Sequence, residues 1–193
     1  MKRICVFAGS NSGARPDYRA AALELGRELA QRHFGLVYGG ARVGLMGALA
    51  DTVLAAGGEV IGVIPAALVS KEIAHEGLSE LRVVHSMHER KAMMADLADG
   101  FVALPGGWGT LEEFFEVLTW GQLGLHRKPC GLLNVDGYFD RLLSFLEHTI
   151  DEGFVRRDHG SMIAMSDSPG TLLDMLGEYV PPTTQKWIDR ASL

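Results

Sequence analysis

Short apolar runs alternate along this chain with longer stretches in which apolar residues recur every three or four positions. The runs predict strands over 3–8, 35–39, 59–64, 81–84, 100–104, 130–134 and 162–165. Between them the spacing predicts helices near 16–33, 44–56, 87–98, 110–121, 137–152 and 169–179. The strand runs are apolar on both faces, which is the pattern of parallel strands covered by helices above and below. Right-handed crossovers then lead to an α/β fold: a Rossmann-like, doubly wound parallel sheet of about seven strands with helices on both faces. Residues 1–180 are expected to form a single nucleotide-binding domain, followed by a C-terminal tail over 181–193 that Trp187 would dock on the body.

Composition narrows the functional classes. With 47% hydrophobic and 22% charged residues, the 193-residue chain reads as a globular protein with a substantial core. Its net charge of −6 argues against sequence-independent binding of nucleic acid, which needs a basic face. Val60 to Val69 is the longest apolar run, but Gly62 and Pro65 interrupt it and it is too short to span a bilayer. Cys5 and Cys130 fall inside strand runs and read as inert core thiols, so a reducing, cytoplasmic setting is expected. The seven histidines show no metal-ligand spacing, and neither a metal nor a cofactor is expected. His88 reads as a surface or packing residue. His126, Arg127 and Lys128 follow a helix whose carbonyl end they could meet as cations, and Asp96 and Asp99 read as solvated helix-end charges.

Ligands of doubly wound sheets bind outside the carboxyl ends of the strands. Three glycine-rich loops fall there: Gly9-Ser-Asn-Ser-Gly13, Tyr38-Gly39-Gly40 with Gly44-Leu-Met-Gly47, and Pro105-Gly-Gly-Trp-Gly-Thr110. Their convergence on one edge suggests a nucleotide-sized ligand, with Ser10, Gly39 and Gly40 among its contacts. None of the loops is a GxGxxG fingerprint after the first strand or a P-loop, so ordinary NAD and ATP sites lose support.

Two charged groups stand out. Glu113 lies one turn into the helix behind the third loop. The Thr110-x-x-Glu113 spacing allows a capping box, whereas a position at the mouth of the glycine loop would make it a catalytic carboxylate. Leu111, Phe114, Phe115 and Leu118 form one apolar face of that helix; Val117 and Trp120 form a second, in line with Glu113. Such a helix would pack on the sheet and on another chain. The other group is Arg90, in a helix that Ser86 and Glu89 would cap. It falls on a stripe with Met93, Met94 and Leu97, either snorkelling over the core edge or facing the cleft to pair with a carboxylate or phosphate. Lys91 could add a second positive charge, and Met94 could approach the ligand.

Taken together, Met87-His-Glu-Arg-Lys91 and Pro105-Gly-Gly-x-Gly-Thr-x-x-Glu113 resemble the LONELY GUY family of cytokinin riboside 5′-monophosphate phosphoribohydrolases. The likeness runs from the first glycine loop to about Asp136. It implies hydrolysis of the N-glycosidic bond of a purine nucleoside 5′-monophosphate, with Arg90 and Glu113 as the catalytic pair. It also implies substrate contacts from Arg90, Lys91, Gly106, Gly107, Trp108, Gly109, Thr110, Leu111, Glu112, Glu113 and Thr119, and a looser match at Glu72. A homodimer with shared active sites is implied as well. Relatives have been labelled lysine decarboxylases, but nothing in the sequence points to a pyridoxal-phosphate lysine. The rival reading is a non-catalytic nucleotide-binding or carrier protein on the same scaffold, which would not need both Arg90 and Glu113.

Overall fold

The computed structural model of the protein describes residues 1–69 and 74–182. Glu72, Trp187 and the tail from 183 onward lie outside the described residues. The strands are β1 (Arg3–Phe7), β2 (Gly35–Tyr38), β3 (Val60–Pro65), β4 (Glu80–Val84), β5 (Gly100–Ala103), β6 (Cys130–Leu133) and β7 (Ile163–Ser166). The α-helices are α1 (Pro16–Gln31), α2 (Gly44–Ala55), α3 (Ala66–Val69), α4 (Met87–Leu97), α5 (Trp108–Gln122), α6 (Asp140–Asp151) and α7 (Pro169–Gly177).

All seven strands pair in parallel in the order β4-β3-β2-β1-β5-β6-β7. The chain therefore walks outward from β1 to β4, returns to the opposite side of β1 with β5, and walks outward again. The connections leaving β1 and β5 depart in opposite directions, which opens a crevice between them. All three glycine-rich loops follow neighbouring central strands, β2, β1 and β5, and so share one sheet edge.

Alternate strand residues feed two hydrophobic layers. Ile4, Val6, Tyr38, Val102 and Leu133 pack with residues of α1, α2 and α7. Cys5, Phe7, Val37, Phe101 and Leu132 pack with Met94 and Ala95 of α4 and with Phe114 and Val117 of α5. Every residue of β2, β3, β5 and β6 is buried, which accounts for their uniformly apolar sequence. Burial of each large apolar side chain favours the fold by about 1.5–3 kcal/mol. Cys5 and Cys130 are both buried free thiols; burial pushes the Cys130 thiol up to about 12. No described helix is long and apolar enough to cross a membrane.

The structure departs from the sequence pattern at several places. α6 begins at Asp140, after a 3₁₀ turn over Val135–Gly137 in which Asp136 and Gly137 take left-handed φ values of 49° and 70°. Neither that turn, nor α3, nor the 3₁₀ segment Arg157–Met162 has enough apolar periodicity to announce itself. Asp99 is not merely a solvated charge: its carboxylate accepts the backbone N–H groups of Lys2 (2.6 Å) and Arg3 (3.0 Å), fixing the start of β1. Burial alone would raise that carboxyl, but the two N–H bonds hold it below its ordinary value. His126 does meet a carbonyl of the preceding helix, Val117 O at 2.8 Å, but not as a cation. Its Nδ1 accepts the Lys128 N–H, which makes Nε2 the donor, and burial lowers its pKa. Lys128 caps a different helix, donating to Ala95 O of α4 at 2.7 Å.

Candidate active site

The crevice predicted by the strand order is present. A cleft of about 310 Å³ lies between the β1–α1 and β5–α5 loops, lined by Gly9 to Gly13, Tyr18, Leu45, Pro105, Gly106, Gly107 and Tyr138. Three helices, α1, α2 and α5, start around it, and none has a side-chain cap. By contrast, α4 and α7, which follow the outermost strands, are capped by Ser86 and Ser168. A helix start without a cap presents N–H groups and the positive end of the helix dipole, the features that bind phosphate. α1 opens with Pro16, which has no N–H, and Leu45 N of α2 donates to Gly9 O at 3.0 Å, so α5 is the start that best meets this description.

The start of α5 corrects the capping reading of Glu113. The helix begins at Trp108 with Gly107 as N-cap, so Thr110 is its third residue and Glu113 its sixth. The Thr-x-x-Glu spacing is therefore not a capping box here. Thr110 is buried directly beneath the loop, where a Cβ on Gly106 would collide with its hydroxyl. Leu111 N donates to Gly107 O at 3.2 Å, the first bond within the helix. The N–H groups of Gly107, Trp108, Gly109 and Thr110 precede that bond. At Ser86, in contrast, the predicted cap is present: Ser86 Oγ accepts Glu89 N at 3.1 Å, and the Glu89 carboxylate accepts His85 N, one residue before the N-cap, at 2.8 Å.

Arg90 and Glu113 converge. Arg90 Nη2 stands 3.8 Å from Glu113 Oε1, and the two side chains are only 8% and 14% exposed. Arg90 thus does not snorkel. It lies against Gly39 at the end of β2, where a Cβ would meet Nη2, so a larger residue there would displace the guanidinium from this position. Arg90 Nη1 also approaches Met87 Sδ at 3.7 Å, and its Nε is buried with no hydrogen-bond partner. A buried, loosely held Arg–Glu pair is costly as a structural device, because desolvation offsets its attraction. The pair stands on the α4–α5 side of the same sheet edge and does not itself line the cleft.

Lys91 is held by two carboxylates of the neighbouring helix. Its Nζ donates to Glu112 (2.6 Å) and Glu116 (3.0 Å), cross-linking α4 to α5. Burial would lower its pKa, but those two carboxylates raise it overall. A pyridoxal-phosphate Schiff base needs an amine that can lose its proton, and Lys91 does not fit that role.

The remaining predicted contacts divide into groups. Ser10, Gly106 and Gly107 line the cleft, while at the neighbouring strand end Gly39 lies buried against Arg90 and Gly40 lies buried against Ile64 and Leu81. Trp108 is 92% exposed at the tip of the loop, with Gly109 exposed beside it. Met94 is buried in the α4 layer, Leu111 packs partly against that layer, and Glu112 is held by Lys91. Thr119 lies on the outer face of α5, facing a groove shared with α6. The faces of α5 also differ from expectation: Val117 is buried on the sheet beside Phe114, whereas Phe115 and Leu118 line that outer groove. Asn11, Tyr18, Leu45 and Tyr138 line the cleft without having been singled out in the sequence. Among the described residues no cluster of His, Cys, Asp and Glu is placed to hold a metal ion.

A family model described as "Possible lysine decarboxylase" matches residues 46–176, which contain both halves of the Arg90–Glu113 site. The protein is 54% identical over 181 residues to a rice (Oryza sativa subsp. japonica) "Probable cytokinin riboside 5'-monophosphate phosphoribohydrolase LOGL9", covering 94% of this chain and 80% of that one. It is 52% identical, over 94% of this chain and 83% of the relative, to "Cytokinin riboside 5'-monophosphate phosphoribohydrolase LOG7" of Arabidopsis thaliana. The chain belongs to the LONELY GUY family. Solved structures share its fold. A structural-genomics target, TM1055, superposes with a TM-score of 0.72 at 25% identity, covering 93% of this chain and 100% of that one. A molybdenum cofactor carrier protein from Chlamydomonas reinhardtii reaches 0.69 at 21% identity, covering 92% and 99%, which shows the fold alone. LONELY GUY relatives and a carrier protein thus share one scaffold.

Proposed function

We propose that this protein hydrolyses the N-glycosidic bond of purine nucleoside 5′-monophosphates, releasing free base and ribose 5-phosphate, with Arg90 and Glu113 as its catalytic pair. The observation that carries this reading is the buried convergence of Arg90 and Glu113 at the same sheet edge as three uncapped helix starts. A carrier needs the anion-binding loops but has no use for a buried Arg–Glu pair beside them. Relatives about half identical over nearly the whole chain are named for the same reaction.

In this account the 5′-phosphate sits at the start of α5, held by backbone N–H groups. Glu113 lies six residues beyond Gly107, about 9 Å along a helix that rises 1.5 Å per residue. A ribose 5-phosphate can bridge that span, which brings its anomeric carbon toward the carboxylate. As the bond to the base breaks, positive charge develops on the sugar. Glu113, ionised, stabilises that charge and orients a water molecule, whose oxygen bonds to the anomeric carbon while Glu113 takes its proton. The electrons of the broken bond leave with the base. The planar fork of Arg90 orients Glu113 and holds substrate.

A second copy of this chain covers the outer face of α5. Phe115, Leu118, Leu143, Leu146, Ile150 and Val155 line an apolar groove of about 420 Å³ between α5, α6 and the segment after it, and α6 has no fully buried residue. α5 carries this groove and the catalytic loop alike, so a partner seated there joins two active sites. Thr119, on the groove side, would then serve the partner's substrate. Sedimentation of the wild-type protein should give a dimer, and Leu118→Asp should give a monomer with reduced turnover; a wild-type monomer of full activity would contradict this. The two buried free thiols fit a reducing, cytoplasmic setting.

The direct test is incubation with AMP and with isopentenyladenosine 5′-monophosphate, with released base resolved by chromatography. Base should appear from the monophosphates and not from the unphosphorylated nucleosides. Tight nucleotide binding with no release of base would instead favour the carrier reading.

A further inference from the structure

We infer that Tyr138 is a positioning residue that sets the phosphate-binding loop, and that it governs affinity for the phosphate end of the substrate rather than for the base. This inference rests on the function proposed above. The Tyr138 hydroxyl donates to the carbonyl of Gly106 at 2.6 Å, across 32 residues of sequence. Gly106 immediately precedes Gly107, the N-cap whose N–H opens the uncapped start of α5. The preceding carbonyl, of Pro105, accepts Gly9 N at 3.2 Å. Consecutive carbonyls of the loop are thus held from opposite walls of the cleft, one by the β1 loop and one by Tyr138. With Gly106 O fixed in this way, the peptide plane that carries the Gly107 N–H is fixed too, because the peptide unit is planar.

Tyr138 is itself held from several sides. Its ring stands edge-on to Tyr18, with centroids 5.5 Å apart, and to Phe139 at 4.9 Å. Phe139 is buried, and its N–H donates to Asn134 Oδ1 at 2.7 Å. Asp136, in its left-handed conformation, forms an ion pair with Arg15 of the β1–α1 loop. The backbone turn that delivers Tyr138 is therefore locked to the opposite wall of the cleft. Tyr138 lines the cleft, whereas Arg90 and Glu113 do not.

Tyr138→Phe keeps the ring contacts and removes only the hydroxyl, so the variant should fold with a Tm lowered by no more than about 2–4 °C. One hydrogen bond of this kind corresponds to a change of about five- to tenfold. The dissociation constant for ribose 5-phosphate, read by calorimetry, should rise by that factor, and KM for AMP should rise with it. The affinity for free adenine and kcat should stay within about twofold, and Tyr138→Leu should reproduce or exceed the loss of phosphate affinity. Unchanged ribose 5-phosphate affinity in Tyr138→Phe, with wild-type protein binding it normally, would overturn the inference while leaving the hydrolase reading intact. Equal weakening of adenine and ribose 5-phosphate would overturn it as well, since that is the mark of a general structural role. A wild-type protein that binds no ribose 5-phosphate would overturn the placement of the phosphate, and the role of Tyr138 with it.

Discussion

Two arginine–glutamate pairs occupy opposite ends of the same sheet. At the amino end, Arg3 meets Glu59 through two bonds, Nε to Oε2 at 2.8 Å and Nη2 to Oε1 at 3.1 Å, with side chains 37% and 46% exposed. At the carboxyl end, Arg90 meets Glu113 at 3.8 Å, nearly out of reach of solvent. The exposed pair has good geometry and costs little to form. The buried pair has poorer geometry, one unsatisfied guanidinium nitrogen, and a desolvation cost. If stability alone had shaped both, the buried pair would be the closer one. The 3.8 Å separation, close to the start of α5, is the observation on which the proposed catalytic role rests.

Substitutions at the two ends sharpen that contrast. Glu113→Gln should fold normally and lose roughly 10²–10⁴-fold in kcat, the usual worth of a positioned general base. Its circular dichroism and Tm would show whether the loss is chemical. Arg90→Lys keeps the charge but replaces a planar fork with a point charge, and a misplacement on this scale can cost about 10²-fold. Steady-state kinetics should show that loss in kcat/KM. Arg3→Met, at the other end, should leave turnover unchanged and cost at most about 1 kcal/mol, the range of exposed ion pairs. Urea denaturation would measure it.

The exposed pair also makes a pH prediction. The hydrogen bond and charge of Arg3 hold the Glu59 carboxyl below its ordinary value, although partial burial opposes them. A carboxyl with a lowered native pKa contributes stability above its unfolded pKa of about 4.3, and that contribution disappears as the pH falls through the native value. The wild-type advantage over Arg3→Met should therefore be full at pH 6 and shrink below about pH 4. An advantage that stays constant down to pH 3 would mean that the pair contributes through packing rather than charge.

The sequence revealed these two ends unequally. The central strands were legible because both their faces are buried, so each is a continuous apolar run such as Val60-Ile-Gly-Val-Ile64. Arg90 and Glu113 were legible as members of two motifs, but not their burial, which depends on Gly39 leaving room for the guanidinium. The start of α5 was misread because Thr110-x-x-Glu113 imitates a capping box, and only the backbone shows the N-cap at Gly107, three residues before the predicted start. The partners of Lys91, Glu112 and Glu116, were hidden because they sit 21 and 25 residues away on another helix. Tyr138 was invisible for the same reason: its role lies in a contact with Gly106 that no local pattern encodes.

The central claim is that Arg90 and Glu113 act as one hydrolytic unit, and a double-mutant cycle on AMP hydrolysis tests it most directly. Single-turnover rates would be measured for wild type, Arg90→Lys, Glu113→Gln and the double variant, with substrate bound to saturation in each. Residues that act as a unit are strongly non-additive, so the double variant should be no slower than Glu113→Gln alone. A double variant slower by the product of the two single losses would show that Arg90 and Glu113 work independently, and the account of the buried pair would be wrong.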